Sequence, residues 1–378
     1  MRILLAPQEF KGSLSANQVV EAMADGVRRV RPEATIDRVP LADGGPGTVE
    51  AVVAATDGRY SVARVEGPLG APVDARWGRI GDGATAVIEM ASASGLLQLG
   101  PDQLDPRRAG TFGTGELIRA ALDARVQRIL IGLGGSATND GGAGMASALG
   151  ARFLDDDGDA LPPGGAALAR LARIDTHALD PRLATVDIVV LADVSNPLLG
   201  PDGASSIYGP QKGADAAAIA ELDRALRNYA DIVARDLGVE ITTIRGGGAA
   251  GGLGAGLVAF TGARIVSGID YVAEAVDLRQ RLATADLSIT GEGRLDRQST
   301  FGKTVAGVAG LALDVGTPCL AIGGSIDTPD VVRAIPGVVD LEVAASADFT
   351  LAEAMADAGP LVADATARLL KRYLASVK

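Results

Sequence analysis

Short apolar runs alternate with longer stretches of helical periodicity along most of this chain. Seven runs are rich in Val, Ile or Leu, are followed by turn residues and predict buried strands: residues 3–6, 86–89, 128–131, 188–192, 287–290, 319–322 and 339–344. Helical spacing of apolar residues covers four longer segments: residues 16–30, 115–124, 216–237 and 351–377. Because strands and helices alternate, the pattern predicts an α/β fold with mostly parallel sheets and helices on both faces.

The 50 glycines cluster after the predicted strands and do not form a linker. In open parallel sheets, ligands bind at the carboxyl ends of the strands, so the loops at those ends predict function. Polar and glycine residues concentrate in six of these loops: residues 8–13, 41–45, 132–142, 193–196, 291–296 and 323–325. The sequence therefore predicts one binding site that is built from several loops.

The loop after residue 131 is the densest of these motifs. Its glycines would let the backbone approach an anion, and the helix predicted after it would point N–H groups at that anion. Ser136 and Thr138 add hydroxyl donors, so the segment is interpreted as a phosphate cradle or a hydroxy-acid clamp. The structural alternative is a tight strand-to-helix turn with Asp140 as the helix cap.

Three other segments carry competing interpretations. A Gly-x-Gly-x-x-Ala pattern at residues 132–137 fits a dinucleotide-binding fingerprint, with Asp155 at about the spacing of its acidic residue, and supports an NAD-type oxidoreductase as an alternative. Residues 301–304 resemble the end of a P-loop, but Arg297 stands where that motif requires glycine, so a standard P-loop is rejected. The almost entirely small segment 245–256 is compatible with a hinge, a nucleotide loop or close helix packing.

Charged residues in the strand-end loops fit phosphoryl transfer. This reaction needs carboxylates that hold Mg²⁺ and orient the attacking hydroxyl, and cations that neutralise the transferring group. The candidate acids are Asp43, Asp193, Glu292 and Asp296. The candidate cations are Lys11, Lys212 and Arg294.

Composition excludes several other classes of function. The formal net charge of −12 argues against a nucleic-acid partner. Cys319 is the only cysteine and His177 the only histidine, which excludes a Cys/His zinc site and leaves a Ser-His-Asp triad without support. The apolar runs are too short for a membrane helix and the first residues do not fit a signal peptide, so we expect no membrane partner and a location in the cytoplasm.

Several long motifs, in order along nearly the whole chain, resemble those of the class I bacterial glycerate kinases. They stand at residues 6–11, 42–45, 134–145, 196–198, 209–214 and 290–294. The resemblance implies a kinase that uses ATP and Mg²⁺ to phosphorylate D-glycerate, with 2-phosphoglycerate favoured over 3-phosphoglycerate as the product. It also implies two α/β domains, with residues 66–284 inserted into a domain formed by residues 1–65 and 285–378, and an active site in the cleft between them.

The motifs suggest a role for each candidate residue, as a hypothesis. Lys11, Asp140 and Asp193 would be catalytic, with Asp193 or Asp140 accepting the hydroxyl proton. Mg²⁺ would be held by Asp193 and Glu292. Substrate and phosphates would contact a further set of residues: Asp43, Gly134, Gly135, Ser136, Thr138, Asn139, Asn196, Lys212, Arg294 and Asp296.

The chain departs from the family pattern at Gln8, Glu9, Pro46 and Phe301, and also near residues 111–115. The departures at Gln8, Glu9 and Pro46 keep open a second alternative, a regulator that binds a hydroxy acid without catalytic turnover. They also leave the choice of substrate, and of the phosphorylated hydroxyl, undecided at this stage. Both a monomer and a homodimer are compatible with the sequence.

Overall fold

The fold is that of a computed structural model, which describes residues 1–81, 83–295, 304–327, 329–346 and 348–377. The chain forms two compact units. The first unit contains Met1–Asp43, Glu50–Ala55 and Ile269–Lys378, and the second contains Gly44–Val49 and Thr56–Gly268. The domain boundaries near residues 65 and 284, which come from the sequence, stay a prediction.

The strands of the described chain are β1 (Arg2–Leu5), β2 (Thr35–Arg38), β3 (Arg59–Glu66), β4 (Pro72–Ile80), β5 (Thr85–Glu89), β6 (Arg128–Gly132), β7 (Arg152–Leu154), β8 (Arg173–Asp175), β9 (Asp187–Leu191), β10 (Arg264–Val266), β11 (Leu287–Leu295), β12 (Cys319–Ile326) and β13 (Val338–Val343). The α-helices are α1 (Ala16–Val30), α2 (Thr48–Ala55), α3 (Ala91–Ser94), α4 (Phe112–Asp123), α5 (Ala143–Ala148), α6 (Ala204–Tyr208), α7 (Ala216–Leu237), α8 (Leu253–Thr261), α9 (Gly268–Ala275), α10 (Leu278–Ala283), α11 (Thr304–Val315), α12 (Pro329–Arg333), α13 (Leu351–Ala356) and α14 (Ala358–Ser376). Short 3₁₀-helices span Leu96–Gln98, Pro101–Gln103, Gly165–Arg170, Pro181–Ala184, Pro210–Lys212 and Ala249–Gly252. No helix among the described residues has the length and apolar character needed to cross a membrane.

The first unit is built on a five-stranded sheet in the order β13-β12-β11-β1-β2, and all of its strand pairs are parallel. β1 lies inside this sheet, with Ile3 paired to Leu287 on one side and to Ile36 on the other. Ile3 and Leu5 face a core that α1 and α14 complete, while Leu4, on the opposite face, is also fully buried. Both faces of this strand are covered, which explains its uninterrupted apolar sequence.

The second unit is built on a six-stranded sheet in the order β10-β9-β6-β5-β4-β3. The pairs from β10 to β5 are parallel, and β4 pairs antiparallel with both β5 and β3. β7 and β8 form a separate antiparallel pair. The core joins Ile129 and Ile131 of β6 to Leu117 of α4 and Tyr229 of α7. The predicted α/β class with mostly parallel sheets is confirmed.

All seven predicted strands are present, and α1 and α7 have the predicted bounds. β11 and β12 are longer than predicted, because their pairing continues to Leu295 and Ile326. Glu292 and Arg294 therefore lie within a strand and not in a loop after it. The pattern missed six strands of the described chain: β2, β3, β4, β7, β8 and β10. In β3 and β4 polar residues interrupt the apolar ones, and the other four strands have only three or four residues each.

The single helix predicted over residues 351–377 was wrong, because the structure divides it at Asp357 into α13 and α14. Pro360 in the first turn of α14 explains the division. Proline has no N–H to donate, and its ring would clash with the carbonyl four residues earlier, so a continuous helix would kink there. Thr350 caps α13: its hydroxyl oxygen accepts from the N–H of Glu353 at 3.3 Å, and its own N–H donates to the Glu353 carboxylate at 2.9 Å.

Gly26 allows α1 and α14 to pack closely. A Cβ built at Gly26 would clash with the carbonyl oxygen of Ala363 and would lie 2.6 Å from Cβ of Thr366. We expect Gly26→Ala to lower the free energy of unfolding by about 1–3 kcal/mol, because overpacking forces the two helices apart.

Gly310→Ala, in α11 of the same unit, is the matched control. No atom of the described residues comes within 4 Å of a Cβ built there, so the better helix propensity of alanine should raise stability by about 0.5–1 kcal/mol. Urea unfolding of both variants measures the difference. Equal stabilisation by the two substitutions would contradict the close packing at Gly26.

Candidate active site

A glycine loop, residues 132–142, joins the end of β6 to the start of α5 in the second unit. A Cβ built at Gly132 would clash with the carbonyl oxygen of Gly44, and one built at Gly134 would clash with Cα of Gly45. The N–H of Gly134 also donates to the carbonyl of Gly44 at 3.0 Å. Glycines from two of the sequence motifs therefore meet through direct backbone contact.

The end of β9 contacts the same glycine pair. Gly44 has a φ of +89°, and a Cβ built there would clash with the carbonyl oxygen of Leu191, the last residue of β9. Asp193 follows two residues later along the chain. The loops after β6 and β9 thus converge on residues 44–45 within the second unit.

Asp140 is buried inside the glycine loop, with 1 % of its surface exposed. One carboxylate oxygen accepts from the N–H and the hydroxyl of Thr111, both at 2.8 Å, and from the N–H of Gly144 at 3.1 Å. The other accepts from the N–H of Gly142 at 3.1 Å. Burial raises the pKa of Asp140, and these hydrogen bonds act in the opposite direction. The contacts fit the predicted structural cap, while a role as the catalytic base stays a prediction.

Lys212 is buried beside the glycine loop, also with 1 % of its surface exposed. Its Nζ donates to Oγ of Ser136 at 2.8 Å and to the carbonyl of Thr138 at 2.7 Å. Burial lowers the pKa of Lys212 to about 7, and the nearby charge of Asp140 acts in the opposite direction. Lys212 thus ties the 3₁₀-helix at Pro210–Lys212 to the loop, and its contact with a substrate phosphate stays a prediction.

The other polar side chains of the loop also point into the protein. Ser136 is 6 % exposed, and Thr138 and Asn139 are fully buried. Nδ2 of Asn139 donates to Oγ of Ser205 at 3.0 Å. These side chains shape the loop from inside, so their predicted ligand contacts remain untested.

The exposed part of the loop is backbone. Gly135 is exposed and Gly134 is half-buried. Farther along the loop, the carbonyl of Gly141 accepts from the hydroxyl of Tyr229 at 3.0 Å. The loop therefore presents peptide groups, held from behind by side chains, as its accessible surface.

The small-residue segment 246–256 packs against the inner side of the glycine loop. Ala250, Gly251 and Gly252 all have positive φ, between 53° and 92°. A Cβ built at Gly251 would clash with the carbonyl oxygen of Thr138, and one built at Gly256 would clash with that of Gly141. The sequence allows a hinge, a nucleotide loop or close packing for this segment, and these contacts are those of close packing.

Asp193 and Asn196 lie in the loop after β9. Asp193 is half-buried, and its Oδ1 accepts from the N–H of Gly268 at 2.8 Å. Nδ2 of Asn196 donates to the carbonyl of Asp202 at 2.8 Å, and its Oδ1 accepts from the hydroxyl of Tyr208 at 2.7 Å. Burial raises the pKa of Tyr208, which keeps this hydroxyl a donor at neutral pH.

In the first unit, a cavity of about 1250 Å³ borders the carboxyl ends of β1, β11, β12 and β13. Four predicted site residues line this first-unit cavity: Lys11, Asp43, Glu292 and Arg294. Lys11 is exposed, whereas Glu292 is 7 % exposed. Arg294 forms an ion pair with Asp327, which lines the same cavity.

The candidate acids that the structure describes do not gather into a metal cage made of protein side chains alone. Within the described ranges, no group of three or more His, Cys, Asp or Glu is arranged to hold a metal ion. Mg²⁺ in nucleotide enzymes is usually bound by one or two carboxylates, with water and substrate phosphates as the other ligands. Single carboxylates such as Glu292 and Asp193 fit this chemistry.

The dinucleotide fingerprint is not supported by the geometry. In that motif the helix begins within the glycine pattern, whereas here α5 begins at Ala143, beyond the end of the pattern. Asp155 follows β7, whose pairing in the described chain is antiparallel with β8 and not parallel with β6. The glycines at residues 132–137 serve the backbone contacts described above, and the alternative of an NAD-type oxidoreductase is dropped.

The structure gathers the predicted site residues into two groups, one in each unit. Lys11, Asp43, Glu292 and Arg294 border the first-unit cavity, and the glycine loop, Lys212, Asp193 and Asn196 belong to the second unit. Asp296 and Phe301 lie outside the described residues. Sequence reasoning missed the supporting residues Thr111, Ser205, Tyr208 and Tyr229. Each is a single hydroxyl residue that no glycine-rich motif marks as part of the site.

Lys212→Met tests the charge of the buried lysine. A lysine whose pKa is about 7 in the folded protein and about 10.4 in the unfolded chain binds fewer protons when folded. Its contribution to stability therefore rises with pH between about 7 and 10. The free energy of unfolding of the parent protein, measured relative to Lys212→Met, should increase over this range.

Urea unfolding followed by the fluorescence of Trp77, which is buried in the same unit, measures this difference. Because the two proteins differ at one titratable group, the contributions of other groups that titrate in this range largely cancel in the difference between the two free energies of unfolding. A difference that stays constant from pH 7 to pH 10 would show that Lys212 remains charged in the folded protein.

Similarity to known proteins extends over most of the chain. A sequence model described as the glycerate kinase family matches residues 3–374. A glycerate kinase of Bacillus subtilis is 49% identical over 90% of this chain and 92% of its own length. A glycerate 2-kinase of Escherichia coli is 50% identical over 88% of this chain and 87% of its own length. A crystal structure of a protein assigned as glycerate kinase 2 from Salmonella typhimurium is 47% identical, with a TM-score of 0.84, over 100% of this chain and 99% of that one.

Proposed function

Since the chain belongs to the glycerate kinase family, we propose that it transfers the γ-phosphoryl group of ATP to a hydroxyl of D-glycerate. Family membership makes it a kinase that phosphorylates an alcohol group, with ATP as the co-substrate. The structural observation that supports an anionic acceptor is the glycine loop, whose polar side chains point inward. A backbone surface held in this way can bind an anion with little reorganisation.

Gly134 and Gly135 are the accessible part of that surface. The N–H of Gly134 is bonded to the carbonyl of Gly44, so Gly135 is the position where the lack of a side chain lets a carboxylate or phosphate approach the backbone closely. Lys212 holds Ser136 and Thr138, which follow these glycines in the loop. Asp140 holds Gly142 and Gly144 at the other end of the loop. We therefore assign Asp140 and Lys212 positioning roles, in which they act on the substrate through the loop.

We assign three side chains to the reaction itself: Lys11, Asp193 and Glu292. Lys11, exposed at the first-unit cavity, is suited to neutralising phosphate charge. Asp193 is suited to accepting the proton of the attacking hydroxyl, because it is accessible while Asp140 is enclosed. Glu292 and Asp193 would hold Mg²⁺, which neutralises phosphate charge when bound. Asp43 and Arg294, on the first-unit cavity, stay proposed ligand contacts.

The 2-hydroxyl of D-glycerate is the proposed acceptor. The support is the Escherichia coli relative, 50% identical over 88% of this chain, which is named a glycerate 2-kinase. The reacting atoms of neighbouring hydroxyls differ little in position, and phosphoryl transfer depends on the placement of the attacking oxygen. At 50% identity we expect the same product, 2-phosphoglycerate.

A coupled assay of ADP release with ATP and D-glycerate tests the activity, and phosphorus NMR of the product identifies the phosphorylated hydroxyl. We expect ADP release that depends on D-glycerate and a signal from 2-phosphoglycerate. A signal from 3-phosphoglycerate would refute the choice of hydroxyl. No release above that with ATP alone would refute D-glycerate as the acceptor and favour the non-catalytic regulator.

Asp193→Asn tests the proposed base. We expect kcat to fall by about 10²–10⁴-fold, the usual contribution of a positioned general base. Asparagine retains a carbonyl oxygen that can accept the N–H of Gly268, so the fold should survive. Asp202→Asn, at an exposed acid near the same loop, is the control and should leave kcat unchanged. Steady-state kinetics of both variants measures kcat, and their thermal midpoints show whether the fold survives. An unchanged kcat in Asp193→Asn would show that Asp193 takes no part in the chemistry.

A further inference from the structure

The first-unit cavity is too large to be a site for the acceptor alone. Its volume is about 1250 Å³, whereas pockets that enclose drug-sized ligands measure about 300–1,000 Å³. D-Glycerate is a three-carbon acid and would fill a small part of it. The cavity also lies at the carboxyl ends of parallel strands, where ligands of such sheets bind. Its size and position therefore fit a nucleotide.

One part of the cavity wall is a tight turn that carries Lys11. The N–H of Phe10 donates to the carbonyl of Leu14 at 2.9 Å, and the hydroxyl of Ser13 donates to the carbonyl of Phe10 at 2.9 Å. A Cβ built at Gly293 would lie 3.2 Å from the backbone nitrogen of Lys11, so the turn packs directly on β11. The backbone of the turn is thus fixed beside the cavity that Lys11 lines.

Another part of the wall is apolar and open to solvent. Phe349, Leu351 and Met355 line the cavity and are 40%, 77% and 36% exposed. Leaving apolar area in water forgoes about 25 cal/mol for each Å², and clustered exposed apolar side chains mark ligand sites. These side chains offer a surface on which a flat aromatic ring can pack.

The apolar wall and the cationic turn are adjacent. A Cβ built at Gly12 would lie 2.8 Å from Cε of Met355, so α13 reaches the turn that carries Lys11. A ligand that contacts both must combine a flat apolar part with an anionic part. ATP has this construction, since its purine ring is flat and its phosphates are anionic, whereas D-glycerate has no apolar part to offer.

The charge of the wall favours phosphates that arrive with a divalent cation. Its described residues include more acids than cations: Glu9, Asp43, Glu292, Asp327, Asp340 and Glu342 against Lys11, Arg294, Arg333 and Arg372. Arg372 is paired with Asp340 and Glu342, and Arg294 with Asp327, so these charges compensate one another within the wall. A triphosphate with its divalent cation is also net negative as a whole, but the cation can be coordinated by the carboxylates of the wall, whereas a small free carboxylate offers them no such partner.

We propose, resting on the kinase activity put forward above, that the first-unit cavity is the nucleotide site. The purine of ATP packs against Phe349, Leu351 and Met355, and the phosphates extend toward Lys11. The small anionic acceptor is then left to the exposed backbone of the glycine loop in the second unit.

Photolabelling of the full-length protein with 8-azido-ATP tests the location. We expect label in peptides that cover residues 349–361, and we expect ATP but not D-glycerate to suppress it. Label that ATP suppresses but that lies in residues 132–142 or 204–213 would place the nucleotide in the second unit and overturn the proposal. Absence of ATP-suppressible label from residues 349–361 would overturn it as well.

Substitutions in α13 provide a kinetic test with a control on the same helix. Ala354→Trp fills the cavity that Ala354 lines, whereas Ala356→Trp lies at an exposed position outside the lining. We expect Ala354→Trp to raise KM for ATP by about tenfold, the loss that corresponds to about one stacking contact. KM for D-glycerate should stay the same, and the control should change neither constant. A rise in KM for D-glycerate with KM for ATP unchanged would overturn the proposal.

A second pair of variants covers the case in which Ala354→Trp does not fold. Leu351 is 77% exposed, so Leu351→Ser should fold normally and weaken ATP binding. Leu313→Ser is its control, because Leu313 is 56% exposed in α11 of the same unit and does not line the cavity. Equal KM values for ATP in the two serine variants and the parent protein would contradict the role of the apolar wall.

The proposed function and the nucleotide site can fail separately. If 8-azido-ATP labels residues 349–361 but D-glycerate is not phosphorylated, the cavity assignment stands and the acceptor is wrong. If D-glycerate is phosphorylated while both cavity variants keep the parent KM for ATP, the activity stands and the cavity assignment is wrong.

Discussion

Backbone-to-backbone contact around the glycine loop is the constraint on which the second unit's site depends. Segments 44–45, 132–142 and 246–256 approach one another so closely that a Cβ at Gly134, Gly251 or Gly256 would meet backbone atoms. Peptide groups enclosed in this way cannot be satisfied by water and need partners within the protein. The buried side chains described above supply those partners. The result is a loop whose inner side is filled and whose outer side is bare backbone.

Two ionisable residues support this loop at a cost in desolvation. Lys212 and Asp140 are both enclosed, and a buried charged pair often contributes little net stability compared with apolar residues of similar size. Their role is to orient the groups that they bond. Lys212 donates hydrogen bonds to two points of the loop, and Asp140 accepts them from Thr111, Gly142 and Gly144. An apolar side chain could fill the same space, but it could not fix the orientation of these peptide groups.

The strands that read as continuous apolar runs were predictable, whereas the short strands and the partly polar hairpin of β3 and β4 were not. The gathering of glycine and polar residues at strand ends within each unit was also predictable. The direction of the side chains was not. Asp140 and Lys212 look like ligand contacts in the sequence. A polar residue in a glycine-rich segment can either contact a bound anion or support the loop from a buried position, and the sequence does not distinguish the two. Pro360 indicates the break after α13, but the spacing of apolar residues, from which the helix was predicted, takes no account of proline.

The position of β1 within its sheet has a consequence for how the chain is made. Ile3 pairs with Leu287, so the two partners are separated by nearly three hundred residues along the sequence. At a synthesis rate of about 5–20 residues per second, the first strand emerges from the ribosome roughly 15–60 s before the strand that completes its pairing. During that interval β1 can pair with β2 but lacks β11, whereas all strand pairs of the second unit's sheet are translated before β11 is. In the nascent chain, the edge of β1 that will receive β11 therefore stays open until the second unit's sheet has all its strands.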